Sequence, residues 1–163
     1  MPSGRTHRRI ELIALGVLCI VAFNYRVWLS SRFGMDRAFE YALVFVGAYL
    51  FSSFLLSPDL DLRRSDSNSN WGILRLFWKP YAACFKHRGL SHSIILGPFS
   101  RVLYLAVILY SILCIVNTFL ELGLNVRLSN FNIDWALAGS VLCGLWLPNV
   151  CHILMDRVSR NPR

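Results

Sequence analysis

Lys86–Leu122 reads KHRGLSHSIILGPFSRVLYLAVILYSILCIVNTFLEL. From about Ser93 to about Leu122 the stretch is almost unbroken apolar sequence, with Arg101 in its early part. A membrane-spanning helix needs about 20 mostly apolar residues, so the stretch predicts one. Ahead of it, a basic lead contains two of the chain's four histidines, His87 and His92. The stretch therefore asks two things at once: how many such helices the chain has, and what histidines do at the end of one.

Working outward, three further segments have the same character: about 10–29, about 39–56 and about 135–155, the last with a kink expected at Pro148. Arg26 lies near the end of the first and can snorkel toward water. The composition agrees. The chain is 55% hydrophobic and 16% charged, with mean hydropathy +0.48, whereas soluble domains are about a quarter charged. The 163 residues fit one domain. The reading is an all-α integral membrane four-helix protein, a single membrane domain over 1–163. Arg5, Arg8 and Arg9 precede the first segment as they would a signal peptide. No small-x-small cleavage site follows, and the run continues into NYRVWL, so it reads as a retained helix.

The connections differ. Those around SSRFGMDR and GLNVRLSNFNID are short, and the one from Ser57 to His92 is long. The long one opens with the polar, turn-forming SPDLDLRRSDSNSNWG. It continues as WGILRLFWKPYAACFK, in which Trp71, Leu74, Phe77, Trp78, Tyr81 and Phe85 recur at roughly helical spacing, with Arg75 and Lys79 between them. This predicts an interfacial amphipathic segment over about 71–86, lying in the headgroup layer and broken at Pro80.

Charge sets the orientation. If both termini and the long connection share one side, that side holds twelve of the Lys and Arg residues, and the other side holds Arg26, Arg32, Arg37 and Arg127. The positive side faces the cytoplasm, which predicts an integral cell (inner) membrane protein with both termini cytoplasmic. The net charge of +8 reads as topology signal and headgroup contact. The positive residues flank apolar runs and form no block of their own, so no nucleic acid is expected. The five cysteines are odd in number, lack a CxxC pair and fall mostly in apolar runs, which argues against disulfides and thiolate zinc; Cys151, beside His152, reads as a small buried hydrophobe.

On that topology the polar residues converge. His7 precedes the first helix, Asp59 and Asp61 follow the second, His87 and His92 precede the third, and His152 and Asp156 end the fourth. Alternating connections bring all four ends to one face. His152 and Asp156 are i and i+4 on one helix face. Asp59 and Asp61 flank one residue, and in a turn both could approach one cation. His87 and His92, five apart, diverge by about 140° on a straight helix, so Gly89 is expected to place His87 in a loop and His92 in the first helical turn. Glu11 is i+4 from His7 but is left outside the expected ligand set. Arg88 and Arg101 read first as topology determinants, although they could also hold a phosphate. Clustered carboxylates near a low-dielectric boundary repel one another, and a divalent cation removes the repulsion. Imidazole with carboxylate suits zinc, manganese, iron or nickel, as one or two ions.

PSGRTH, PDLD, NWGILRLFWKPY, HRGLSHS and a late H-x-x-x-D occur in that order. Together they resemble a family of small bacterial and archaeal membrane proteins described as metal-binding. That family is similar to the LexA-regulated, membrane-bound, metal-dependent hydrolases (YdjM type), which share P-D-x-D and H-R-x-x-x-H-S. The resemblance covers nearly the whole chain. It implies a membrane metal site at His7, Asp59, Asp61, His87, His92, His152 and Asp156. The chain departs from it at Arg8, where an acidic residue is expected after the first histidine.

The sequence thus predicts a membrane-embedded divalent-metal protein, and specifically a metal-dependent hydrolase at the cytoplasmic membrane surface, with a lipid-like or phosphorylated substrate. Asp59, Asp61 and His92 are its expected catalytic residues. The alternatives are a non-catalytic metal-binding or transport protein, a haem anchor using His92 and His152, and a regulatory membrane protein with no cofactor.

Overall fold

The computed structural model describes residues 4–62, 65–85, 92–121 and 132–160. Helix α1 runs Gly4–Asn24, α2 Arg26–Phe33 and α3 Met35–Leu55. A 3-10 turn, Pro58–Asp61, precedes the short α4, Asp66–Asn70. A second 3-10 segment, Gly72–Trp78, leads into α5, Lys79–Cys84, followed by α6, Leu96–Phe119, and α7, Trp135–Arg160. All the described regular structure is helical. Three spans, Met35–Asp61, Leu96–Phe119 and Trp135–Ser159, are long and apolar enough to cross a membrane.

The first expected helix differs from the structure. The chain is helical from Gly4, and it bends by 67° between α1 and α2 instead of running straight from 10 to 29. The cause is local. The Asn24 side-chain amide donates to the Ile20 carbonyl at 2.8 Å and the Arg26 guanidinium donates to the Phe23 carbonyl at 3.0 Å. Side chains thus compete with the backbone for the carbonyls at the bend. Gly34 then joins α2 to α3 with φ +82°, a left-handed conformation that glycine adopts at little cost.

Helices α3 and α7 run side by side in the same direction. Near their starts, Arg37 donates to Asp134 at 2.7 Å, and so does the Tyr41 hydroxyl at 2.9 Å. The other oxygen of Asp134 accepts from the amides of Ala136 and Leu137 at 3.0 and 3.1 Å, capping α7. Midway, Gly144 lets the backbones touch. A Cβ built there would lie 2.6 Å from the Phe45 carbonyl oxygen and 2.8 Å from the Ala48 Cβ. Further along, the Ser52 hydroxyl donates to the Leu145 carbonyl at 2.8 Å. Helix α7 continues through Pro148 as one element to Arg160. Helix α1 runs antiparallel to α3, presents His7, Glu11 and Leu15 inward, and is held where the Tyr49 hydroxyl donates to the Glu11 carbonyl at 2.8 Å.

The segment expected to lie in the headgroup layer is partly core. Trp78 and Tyr81 are 1% and 0% exposed and pack with Leu56 and Leu60, while Ile73, Leu74, Leu76 and Phe77 face outward. Pro80 does not break a helix here. It sits in the first turn of α5, where its missing N–H costs nothing. This segment also closes the end of α3. The last carbonyls of a helix have no partner within it, and here Asn70 donates to Phe54 O at 2.8 Å and Trp71 to Leu55 O at 2.9 Å.

Candidate metal centre

The start of α1, the end of α3, the start of α6 and the end of α7 meet at one end of the molecule, and the polar residues meet with them. His7 Nε2 lies 3.2 Å from Asp156 Oδ1. The other oxygen of Asp156 is 3.7 Å from His92 Nε2. His92 Nε2 is also 3.9 Å from Asp59 Oδ1, and Asp59 Oδ2 is 3.6 Å from His152 Nε2. Three imidazole Nε2 atoms and two carboxylates therefore alternate: His7, Asp156, His92, Asp59, His152. The rings of His7 and His152 stack with centroids 4.0 Å apart.

The spacing fits a shared cation. Two donors each about 2.0–2.2 Å from a tetrahedral ion stand roughly 3.3–3.6 Å apart. Separations of 3.6–3.9 Å are too long for hydrogen bonds but close to that edge. Among the described residues, two triads offer ligand atoms that all lie within 4.8 Å of one another: His7, His152 and Asp156, and Asp59, His92 and His152. The donor set, imidazole with carboxylate, is one that divalent transition metals accept. His152 belongs to both triads, so it is the pivot of the arrangement.

A second layer of carboxylates faces the outer nitrogens. Glu11 Oε1 lies 3.2 Å from His152 Nδ1, and the Ser53 hydroxyl donates to the other Glu11 oxygen. A neutral His152 that donates Nδ1–H to Glu11 would turn an acceptor Nε2 toward Asp59, the arrangement by which carboxylates orient ligating histidines. Asp61 Oδ2 lies 3.9 Å from His92 Nδ1, on the ring edge opposite Asp59. Buried His7 Nδ1 has no hydrogen-bond partner among the described residues. Beside the ring is a small polar cleft reached by Gly4, Arg8, Ser57, Asp59, Ser67 and His152.

Several sequence expectations change here. Asp59 and Asp61 do not approach one point together. The PDLD stretch forms a 3-10 turn, whose residues i and i+2 point about 120° apart, and the two carboxylates face opposite edges of His92. Asp156 faces His7 and His92, and the residue that orients His152 is Glu11. His92 precedes α6, which begins at Leu96. Arg101 is buried away from any phosphate in solution: it is 1% exposed, and its guanidinium donates to Gly97 O, Leu56 O and Asn149 Oδ1. His87, Arg88 and Gly89 lie outside the described residues. Glu11 was legible as i+4 from His7, but Ser53 and Asn149 carried no signal in an apolar run.

The family model described as "Uncharacterized metal-binding protein (DUF2227)" matches residues 2–162. The chain belongs to that family. The convergence of histidines and carboxylates from four segments is a structural counterpart of the family's description. A protein of Aquifex aeolicus (strain VF5) described as "Uncharacterized protein" is 38% identical over 66 residues. That alignment covers 40% of this chain and 47% of the relative, so the similarity spans about half of the curated protein. No solved structure matches the chain. Within the DUF2227 family, this cluster is a candidate for the metal site that the description names.

Proposed function

We propose that the chain is an integral membrane protein that holds one or two divalent metal ions at the shared end of its helices and uses them for hydrolysis. The observation that carries the reading is the alternating ring of three Nε2 atoms and two carboxylates, backed by Glu11 on His152 and Asp61 on His92. Four carboxylates gathered around imidazoles leave negative charge in excess, and a buried charge needs a partner. His7, His92, His152, Asp59 and Asp156 are the ligands in this reading. Glu11 orients His152, and Asp61 faces the outer nitrogen of His92 at 3.9 Å. A bound divalent ion would supply Lewis-acid polarisation and an activated water.

Membrane embedding is supported by the three apolar spans, with the bent α1–α2 pair as a fourth. The Lys and Arg residues that the sequence gathers around these helix ends favour a cytoplasmic side for the centre. The hydrolytic assignment rests on the resemblance to membrane-bound metal-dependent hydrolases, and the polar cleft beside Asp59 and His152 gives water a route to the ring. Asp59, whose two oxygens face two imidazoles, is a ligand lining that cleft in this reading. A phosphoester at the lipid surface is the proposed substrate class. The test is a panel of phosphomonoesters and phosphodiesters, including phospholipids, assayed with protein in proteoliposomes. Turnover abolished by a chelator and restored by one divalent metal is the expected result. Metal-laden protein inert toward the whole panel would overturn the hydrolase assignment, and metal uptake into the vesicles would replace it with transport.

A further inference from the structure

A second buried polar node, formed by Arg101 and Asn149, lies near the ring. Arg101, in α6, is 1% exposed, and Asn149, in α7, is also 1% exposed. Arg101 Nε donates to Gly97 O at 2.9 Å. One terminal nitrogen donates to Leu56 O and the other to Asn149 Oδ1. The Asn149 side-chain amide in turn faces the carbonyls of Ser93 and Ile94, at 3.5 Å each.

These bonds end beside the ligands. Leu56 is the last residue before the Ser57–Asp61 stretch that carries Asp59 and Asp61. Ser93 and Ile94 directly follow His92. Asn149 is one helical turn before His152, on the same face of α7. We propose that Arg101, through Asn149, is a positioning residue for the metal centre: it sets the relative placement of the three segments that bear Asp59, His92 and His152. The inference rests on the metal reading above and adds a residue to it. The choice of arginine follows from the geometry. A planar guanidinium can reach three acceptors on three segments at once, whereas a lysine ammonium is a point donor on a flexible stem. Its position also suits its charge, because the Leu56 carbonyl belongs to the C-terminal, negative end of α3.

The test is Co2+ binding to detergent-purified full-length protein, with affinity measured by competition and the visible d–d spectrum recorded as a report of coordination geometry. Wild type, Arg101→Lys, Arg101→Met and Asn149→Leu are compared, each with its helical circular dichroism. The expected result is wild-type helicity, at least tenfold weaker Co2+ binding in Arg101→Lys and Asn149→Leu, and an altered d–d spectrum in both. Should Arg101→Met fail to fold, Arg101→Lys and Asn149→Leu carry the comparison alone. Folded variants that bind Co2+ with wild-type affinity and spectrum, however low their melting temperature, would overturn the positioning role and leave the metal reading standing. Wild-type protein with no Co2+ affinity would overturn the metal reading itself, and the positioning role with it.

Discussion

The α3–α7 pair carries a polar cluster at each end, and the two are built differently. At the starts of the helices the Asp134 carboxylate meets an arginine, a phenol and two amides, all donors within 3.1 Å. At the ends, Asp59 and Asp156 meet imidazole nitrogens, mostly at 3.6–3.9 Å. The first cluster is complete as it stands, and it works as a pin and a helix cap. The second gathers carboxylates and imidazoles mostly at spacings wider than hydrogen bonds, with ligand atoms close enough together that they could share a metal ion.

That contrast is breakable, and the largest effect belongs to the pivot. His152→Ala removes a donor from both triads. Added divalent metal at about 100 times its Kd stabilises a binding protein by about 2.7 kcal/mol, so thermal unfolding of wild type and of Asp134→Asn should shift upward with metal, and His152→Ala should not respond. The next effect sharpens the role of the outer carboxylates. Loss of a carboxylate that orients a ligating histidine costs roughly 10–100-fold in metal affinity. Glu11→Gln is expected in that range by competition titration, and an unchanged affinity would return Glu11 to a purely structural role.

Between the two ends, Gly144→Ala tests the pair itself. The added Cβ meets the Phe45 carbonyl oxygen, which is backbone and cannot swing aside. Overpacking of this kind costs about 1–3 kcal/mol, read as a lowered melting temperature in detergent. The smallest effect is expected at the satisfied end. The Leu137 amide, followed by the Tyr41 hydroxyl, holds the Asp134 carboxyl below the usual carboxylate range. A depressed folded-state pKa contributes stability above the unfolded value, and that contribution is lost as pH falls below about 4. Wild type should therefore be slightly more stable than Asp134→Asn at neutral pH, and the two melting curves should converge in acid.

How much of this was legible in the sequence follows from range. The apolar runs are local signals, and alternating connections turn them into a statement about which ends meet, so His7, Asp59, His92, His152 and Asp156 could be gathered without coordinates. What each faces depends on local backbone. PDLD as a 3-10 turn separates Asp59 from Asp61, which i, i+2 spacing alone does not decide. The bend at Asn24–Arg26 comes from side chains that take helical carbonyls, a competition that hydropathy does not register. Pro80 reads as a breaker until the helix is known to begin at Lys79. Arg101 reads as a surface or phosphate residue until three acceptors from separate segments are seen around it. Ser53 and Asn149 are polar residues in apolar runs, and only the packing of α1 on α3, and of α6 against α7, gives them partners.

The central claim is that four separated segments form one metal centre, and elemental analysis of protein purified without chelators tests it most directly. Wild type should retain divalent metal, and His7→Ala, Asp59→Ala, His92→Ala and His152→Ala should each lose it while keeping wild-type helicity. Metal-free wild type, or metal retained undiminished in all four variants, would contradict the account.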